Sequence, residues 1–301
     1  HVFSWILMLW AVGWAESEPS RGRLIWFAAV AALWANVHGS FLFAPLLAGV
    51  YAAARLVHPL LWRWERRPDA RYYAAAAVLA ALATLVNPYG WNLHRHVLGY
   101  LADGALLAQV GEFQSFNFLT AGAWQILLAL GLAAAGTVAA LACRRLDHFL
   151  LGALLLAGAV RSARGLPLVA LVLLPLAGGH LTALWTRASG LAPWLTELRE
   201  YGERLRHLDR RAAGWLWAPL LLAAMFLSLP LVASRAGFPP SEFPVEAAAR
   251  LEQLAPELFQ GQGRLLAPDK FGGYLIYRFE GRLKVFFDGR SDFYGSGFLD
   301  Q

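Results

Sequence analysis

Cysteine is nearly absent from this chain. Cys143 is the only one in 301 residues, which excludes an internal disulfide or a cysteine-built metal site. Charge is scarce as well: 15% of residues are charged against 58% hydrophobic, far from the balance of a soluble domain. A Ser/His/Asp triad, a Gly-rich phosphate loop and a clustered set of His ligands are missing, so soluble nucleotide-dependent chemistry is not expected. The net charge of +6 does not mark a nucleic-acid binder, because the basic residues are spread over connecting loops rather than gathered in an aromatic-interleaved stripe.

What the chain has in quantity is apolar sequence. Eight stretches stand out, at 1–15, 24–36, 41–57, 72–87, 119–142, 148–160, 166–185 and 214–234. Several are long enough to cross a hydrocarbon core of about 30 Å, and their Ala/Leu content with Trp and Tyr near the ends suits helices rather than a barrel. Joining 24–57 into one helix would give about 51 Å at the α-helical rise, too long for one straight crossing. A hairpin turning at Asn36 to Ser40 is therefore expected, and by the same argument one turning at Arg161 to Gly165 within 148–185. The expected architecture is an all-α polytopic membrane domain over 1–236, with about eight hydrophobic segments, some short or re-entrant. A small, truncated α/β domain outside the membrane would follow over 237–301.

Arginine placement orients the segments. The loops 16–23, 58–71, 143–147 and 186–213 hold fourteen Arg, whereas 37–40, 88–118 and 161–165 hold three. The positive-inside rule makes the first set cytoplasmic and the second set, with the tail after 235, extracytoplasmic. Cys143 then packs at a cytoplasmic helix end. Within 186–213 the leucines 195, 198, 205 and 208 recur at helical spacing among charges, the pattern of an amphipathic helix on anionic headgroups or of a solvated linker helix. The stretch 88–118 is expected to lie along the outer interface. In the tail, Val245 to Leu254 reads as a helix, and Tyr274 to Phe279 and Leu283 to Phe287 read as strands joined at Glu280-Gly281-Arg282. The chain opens inside an apolar run without an initiator Met or a basic leader, so it is read as a fragment.

Polar groups that break the apolar segments gather on the outer side. Asn36 and His38 stand at one rim; the imidazole can bind a phosphate or sugar hydroxyl or act as a base, while a capping Asn and an interfacial filler are the plain alternative. Asn87-Pro88-Tyr89-Gly90 is chiefly a helix stop. Glu112, among aromatics, suits a cationic partner or proton transfer, or else a salt bridge to Arg95 or Arg161. Arg161 and Arg164 occupy a tight turn on the side that carries few basic residues, which implies an anion; paired guanidinium forks fit a lipid phosphate, and snorkelling to headgroups is the alternative. Asp288, Arg290 and Asp292 form a D-x-R-x-D spacing that suits substrate, a hard divalent cation such as Mg or Mn, or an intradomain ion pair.

These motifs, with Trp34-Ala35-Asn36-Val37-His38-Gly39, Arg161-Ser162-Ala163-Arg164-Gly165-Leu166-Pro167, Phe271-Gly272-Gly273-Tyr274-Leu275-Ile276 and Val285-Phe286-Phe287-Asp288-Gly289-Arg290-Ser291-Asp292, resemble a bacterial group of polytopic membrane proteins of the GT-C glycosyltransferase type. The resemblance implies an inner-membrane enzyme that moves a sugar from a polyprenyl-phosphate donor to an acceptor on the extracytoplasmic side. On it, Arg161 and Arg164 would hold the donor phosphate, and Asn36, His38, Glu112, Asp288, Arg290 and Asp292 would contact substrate. Enzymes of that type carry catalytic carboxylates in a first outer loop, expected upstream of these residues; Glu16 and Glu18 fall on the cytoplasmic side, so no catalytic residue is assigned. A transporter or lipid flippase and a non-catalytic membrane scaffold are the rival readings.

Overall fold

A computed structural model describes residues 2–62, 69–188, 193–212, 217–235, 237–260 and 263–294. Arg63, Arg66 and Arg67 of the basic loop, Gly261-Gln262 and the side chain of Asp292 lie outside the described residues. The chain divides into two units, His1–Gly190 and Leu191–Gln301.

The first unit contains α1 (Val2–Ala15), α2 (Arg21–Val37), α3 (Phe43–Leu61), α4 (Ala70–Ala83), α5 (Trp91–Ala102), α6 (Gly104–Gln109), α7 (Ala123–Ala142), α8 (Leu146–Arg161), α9 (Leu166–Leu168) and α10 (Leu174–Arg187). The stretch 88–118 holds two short helices, α5 and α6, and a 3-10 turn over Gly111–Phe113. Each of the seven apolar stretches before residue 190 contains a helix. Among the described residues, three helical stretches are long and apolar enough to span a bilayer: Gly39–Leu61, Ala123–Ala142 and Ala163–Arg187. Others, such as Val2–Ala15 and Ala70–Ala83, are apolar but shorter.

Both expected hairpins form. Ser20 caps α2 by accepting from the Arg23 amide, and α2 ends where His38 turns extended at φ −159° and ψ 143°. A 3-10 turn over Gly39–Leu42 then leads into α3. Likewise α8 ends at Arg161, Ser162 is extended, and Ala163–Gly165 turns into α9. Small residues allow the helices close approach. A Cβ on Gly136 would lie 2.2 Å from that of Ala177, and one on Gly152 would lie 2.4 Å from Thr137 Oγ1, which brings α7 against both α10 and α8. Where lipid surrounds a bundle, such backbone proximity supplies contact that the hydrophobic effect does not. The core centres on Trp34, Phe41, Leu47, Tyr51 and Leu151, all fully buried.

The second unit holds α11 (Pro193–Ala212), α12 (Trp217–Arg235), α13 (Val245–Leu254), α14 (Asp269–Arg278) and α15 (Ser291–Tyr294), with β1 (Arg264–Leu265) and β2 (Lys284–Val285) paired in parallel. The two strands, of two residues each with α14 between them, are almost no sheet in a structure that is 78% helical, and the expected α/β domain is not shown beyond this pairing. The strand expected at Tyr274 to Phe279 is instead the second half of α14 and the residue after it. Phe271, Tyr274, Leu275 and Phe279 follow helical spacing and face one apolar cluster with Ala248 and Leu283. Aromatic content suggested a strand; the 3–4 period decides for a helix. Of Leu283 to Phe287 only Lys284–Val285 pairs. Gly272 explains why the two glycine motifs occur together: a Cβ there would lie 2.1 Å from the Phe287 carbonyl oxygen and 2.5 Å from Asp288 Cα, so only glycine lets α14 lie against that backbone.

Candidate functional site

Three of the predicted polar residues meet in one place. His38, Glu112 and Arg164 line a cavity of about 470 Å³ in the first unit, together with Ser4, Ser40 and the apolar Leu154, Leu155, Pro167 and Leu168. The cavity lies at the end of the bundle where the two hairpins turn.

The turn that carries Arg164 is fixed to the segment that carries Glu112 by three hydrogen bonds. The Ala163 amide donates to the Gln114 carbonyl at 2.8 Å, the Ser162 hydroxyl to the Glu112 carbonyl at 2.9 Å, and the Ser115 hydroxyl to the Val160 carbonyl at 2.9 Å. So placed, Arg164 Nε lies 3.5 Å from Glu112 Oε2, and its guanidinium stands 4.7 Å from the centre of the Phe113 ring. The expected partner of Glu112 was Arg95 or Arg161; the partner is Arg164. Gly165 makes the tight turn possible, because a Cβ there would lie 2.6 Å from Ala159 Cα and 2.7 Å from its nitrogen, both backbone atoms that cannot yield. Gly165→Ala is expected to push the turn off α8 and destabilise by about 1–3 kcal/mol as overpacking does, with a lowered unfolding temperature as the readout.

His38 is held in one tautomer. The Ser40 amide donates to its Nδ1 at 3.1 Å, so that nitrogen is the acceptor and the neutral ring carries its proton on Nε2. The Trp34 indole donates to Ser40 Oγ at 3.1 Å, and that oxygen lies 3.0 Å from Nδ1, which ties the arrangement to the buried core. Burial, and then the positive charge of Arg164, hold His38 below its ordinary value of 6.5, so it is neutral at physiological pH. It therefore acts as a hydrogen-bond donor through Nε2; the base role allowed by the sequence does not fit this tautomer. Ser4, at 2% exposure, has no hydrogen-bond partner for its hydroxyl among the described residues.

The other predicted residues stand elsewhere. Asn36 donates to the Ala32 carbonyl at 2.8 Å and to the Val86 carbonyl at 2.7 Å, tying α2 to the chain after α4. Arg161, exposed at the end of α8, does not line the cavity. Asn87 organises its own turn, accepting from the Tyr89 amide at 2.8 Å, while Gly90 adopts φ +52°. In the second unit Asp288 Oδ1 accepts from Arg290 Nε at 2.9 Å, an ion pair within the motif that holds Asp288 below the usual carboxylate range. Among the described residues, no group of three or more His, Cys, Asp or Glu is placed to hold a metal ion.

A second polar cluster, which the sequence reading missed, lies at the opposite ends of α1 and α8. After α7 the chain turns through Arg144 at φ +55°, with the Arg145 amide bonded to the Ala140 carbonyl and the Arg144 amide to Leu141. This left-handed closure directs Arg145 back towards the bundle. Arg145 reaches both Glu16 oxygens at 2.7 Å and Asp147 Oδ1 at 2.8 Å, and Arg55 reaches Asp147 Oδ2 at 3.0 Å. The Tyr51 hydroxyl donates to Glu16 at 2.6 Å, His148 Nε2 lies 2.8 Å from the same oxygen, and His148 Nδ1 lies 2.7 Å from His180 Nε2. Burial alone would raise the Glu16 carboxyl; His148, Arg145 and Tyr51 more than offset it and hold the group well below its ordinary 4.5. The available signal was Asp147-His148 in the first turn of an apolar helix.

No protein-family model, curated protein or solved structure matches the chain.

Proposed function

We propose that the chain is a membrane-embedded transferase that holds a polyprenyl-phosphate sugar by its phosphate in the cavity of the first unit and passes the sugar to an acceptor on the extracytoplasmic side. The observation that carries this reading is the meeting of Arg164, Glu112 and His38 in a cavity whose remaining walls include leucines and a proline. Such a site suits a ligand with an anionic head and an apolar body.

Magnitudes favour an incoming phosphate over the resident ion pair. Arg164 and Glu112 are 36% and 51% exposed and 3.5 Å apart, a pair worth about 0–1 kcal/mol, whereas guanidinium–phosphate contacts are among the stronger hydrogen bonds. A phosphate thus recruits Arg164 and releases the Glu112 carboxylate from its counter-ion. His38 Nε2–H donates to a phosphate oxygen. In the transfer step the acceptor hydroxyl oxygen bonds to the anomeric carbon as its bond to the phosphate oxygen breaks, with the hydroxyl proton passing to Glu112 and the lipid phosphate leaving as an anion beside Arg164.

The test is incubation of the purified full chain in lipid nanodiscs with a polyprenyl-phosphate hexose carrying a labelled sugar. Release of unglycosylated polyprenyl phosphate with transfer of label is the expected result. Absence of donor binding overturns the reading, and saturable binding without transfer moves it to a lipid flippase or scaffold.

A further inference from the structure

We infer that a second groove in the first unit, formed between α1 and α2 at the end remote from the cavity, is a binding site for a phospholipid with an anionic headgroup. The groove has a volume of about 570 Å³ and is lined by Trp10, Gly13 and Trp14 on α1 and by Arg23, Trp26 and Val30 on α2. On each helix these residues follow i, i+3, i+4 or i+7 spacing, so two stripes face one another along antiparallel helices.

Its chemistry changes along its length. One end carries the Arg23 guanidinium close to the first turn of α2, where Ser20 accepts from the Arg23 amide. The other end, about 10 Å further along at the α-helical rise, is Trp10 and Val30. A ligand complementary to both ends must be amphiphilic, with a negative head and an apolar chain, and a size within the 300–1,000 Å³ usual for ligand sites. Trp14 and Trp26, between the two ends, are amphipathic rings of the kind that sit where headgroup and acyl region meet.

Charge around the mouth agrees. Arg21 and Arg23 stand against the single neighbouring carboxylate of Glu18, whose carbonyl accepts from Arg23 Nη1 at 2.7 Å. Glu16 is turned away into the cluster with Arg145, His148 and Tyr51. The backbone at the mouth is set by Trp14, whose indole donates to the Arg23 carbonyl at 3.0 Å, and by stacking of Trp14 on Phe27 at 3.8 Å. The groove walls are therefore fixed by contacts that do not involve the proposed lipid. Gly13 keeps the floor open: a Cβ there meets nothing within 4 Å, so a larger side chain would enter the groove without striking protein.

The test is native mass spectrometry of the full chain released from detergent, titrated with phosphatidylglycerol or phosphatidylcholine. Wild type is expected to retain phosphatidylglycerol in preference. Gly13→Leu is expected to lower its retention at least about tenfold by filling the groove, and Arg23→Gln to remove about fivefold of the preference. Thermal unfolding in detergent alone should be unchanged for Gly13→Leu, which separates loss of the site from loss of fold. Equal retention of the two lipids, wild-type retention by Gly13→Leu, or competition by soluble glycerol phosphate as effective as by the whole lipid would each overturn the assignment.

Discussion

Arg164→Ala is expected to weaken binding of a polyprenyl-phosphate sugar by about 10–100-fold and to abolish transfer, while Arg161→Ala leaves both near wild type. The magnitude is that of losing a charge-assisted contact of about 1.5–3 kcal/mol in a site with no second guanidinium among its described lining residues. The contrast between the two arginines separates a phosphate site from general attraction to the bilayer, which either residue would serve. Arg164→Lys keeps the charge but loses the fork geometry, so an intermediate loss is expected. Because Arg164 also stands over Phe113 and beside Glu112, unfolding temperature should be measured in parallel. Loss of binding with an unchanged unfolding temperature supports the phosphate role, and equal effects of Arg161→Ala and Arg164→Ala sink it.

Asp147→Asn is expected to produce the largest stability loss, about 3–5 kcal/mol, seen as a lower unfolding temperature in detergent. Asp147 is 3% exposed and bridges Arg55, itself 11% exposed, to Arg145. Removing its charge leaves the Arg55 guanidinium without this counter-ion in a poorly solvated place, while Arg145 keeps Glu16, and that is the costly way to break a buried pair. Replacing Arg55 and Asp147 together by apolar residues of similar volume should recover much of the loss; a double variant as unstable as the single one would argue against the pairing account.

The same cluster carries a pH signature through Glu16. Its carboxyl is depressed in the folded state, so the unfolded chain binds the proton more readily. The contribution is therefore present above the ordinary value of 4.5 and is lost as pH falls through the lower folded value. The gap in unfolding temperature between wild type and Glu16→Gln should be widest near neutrality and narrow below pH 4.5. A gap independent of pH would remove Glu16 from the charge balance.

Apolar run length and turn residues located the helices of the first unit, because in that environment the hydrophobic pattern alone sets where a helix starts and stops. Asn36 to Ser40 and Arg161 to Gly165 were readable as turns for the same reason. The grouping of His38, Glu112 and Arg164 was suggested by their common side but not their contacts: nothing local to Glu112 chooses Arg164 over Arg161, since the choice is made by hydrogen bonds linking 112–115 to 160–163. The cluster of Glu16, Arg55, Asp147 and His148 was hidden for the opposite reason. Arg145 was counted only as a loop charge, Arg55 and His148 fell inside apolar stretches, and only the left-handed turn at Arg144 directs Arg145 towards the others. In the tail, a short aromatic run satisfied strand composition, and the helical period became decisive only when Phe271 was included.

Between the arginine turn and His180 the chain takes one wide turn, Val169–Leu173, whose backbone is π-helical just ahead of Pro175. Pro175 has no amide hydrogen to close onto Leu171, which favours the widening there. A π turn holds one residue more than an α turn, so this segment takes up an extra residue locally while the helix on either side keeps its phase. Deleting a single residue from it would restore a regular helix with Arg164 still beside Glu112 and His180 still beside His148. The wide turn thus lets the two polar ends of the bundle stay in step although the chain between them is one residue longer than a regular helix needs.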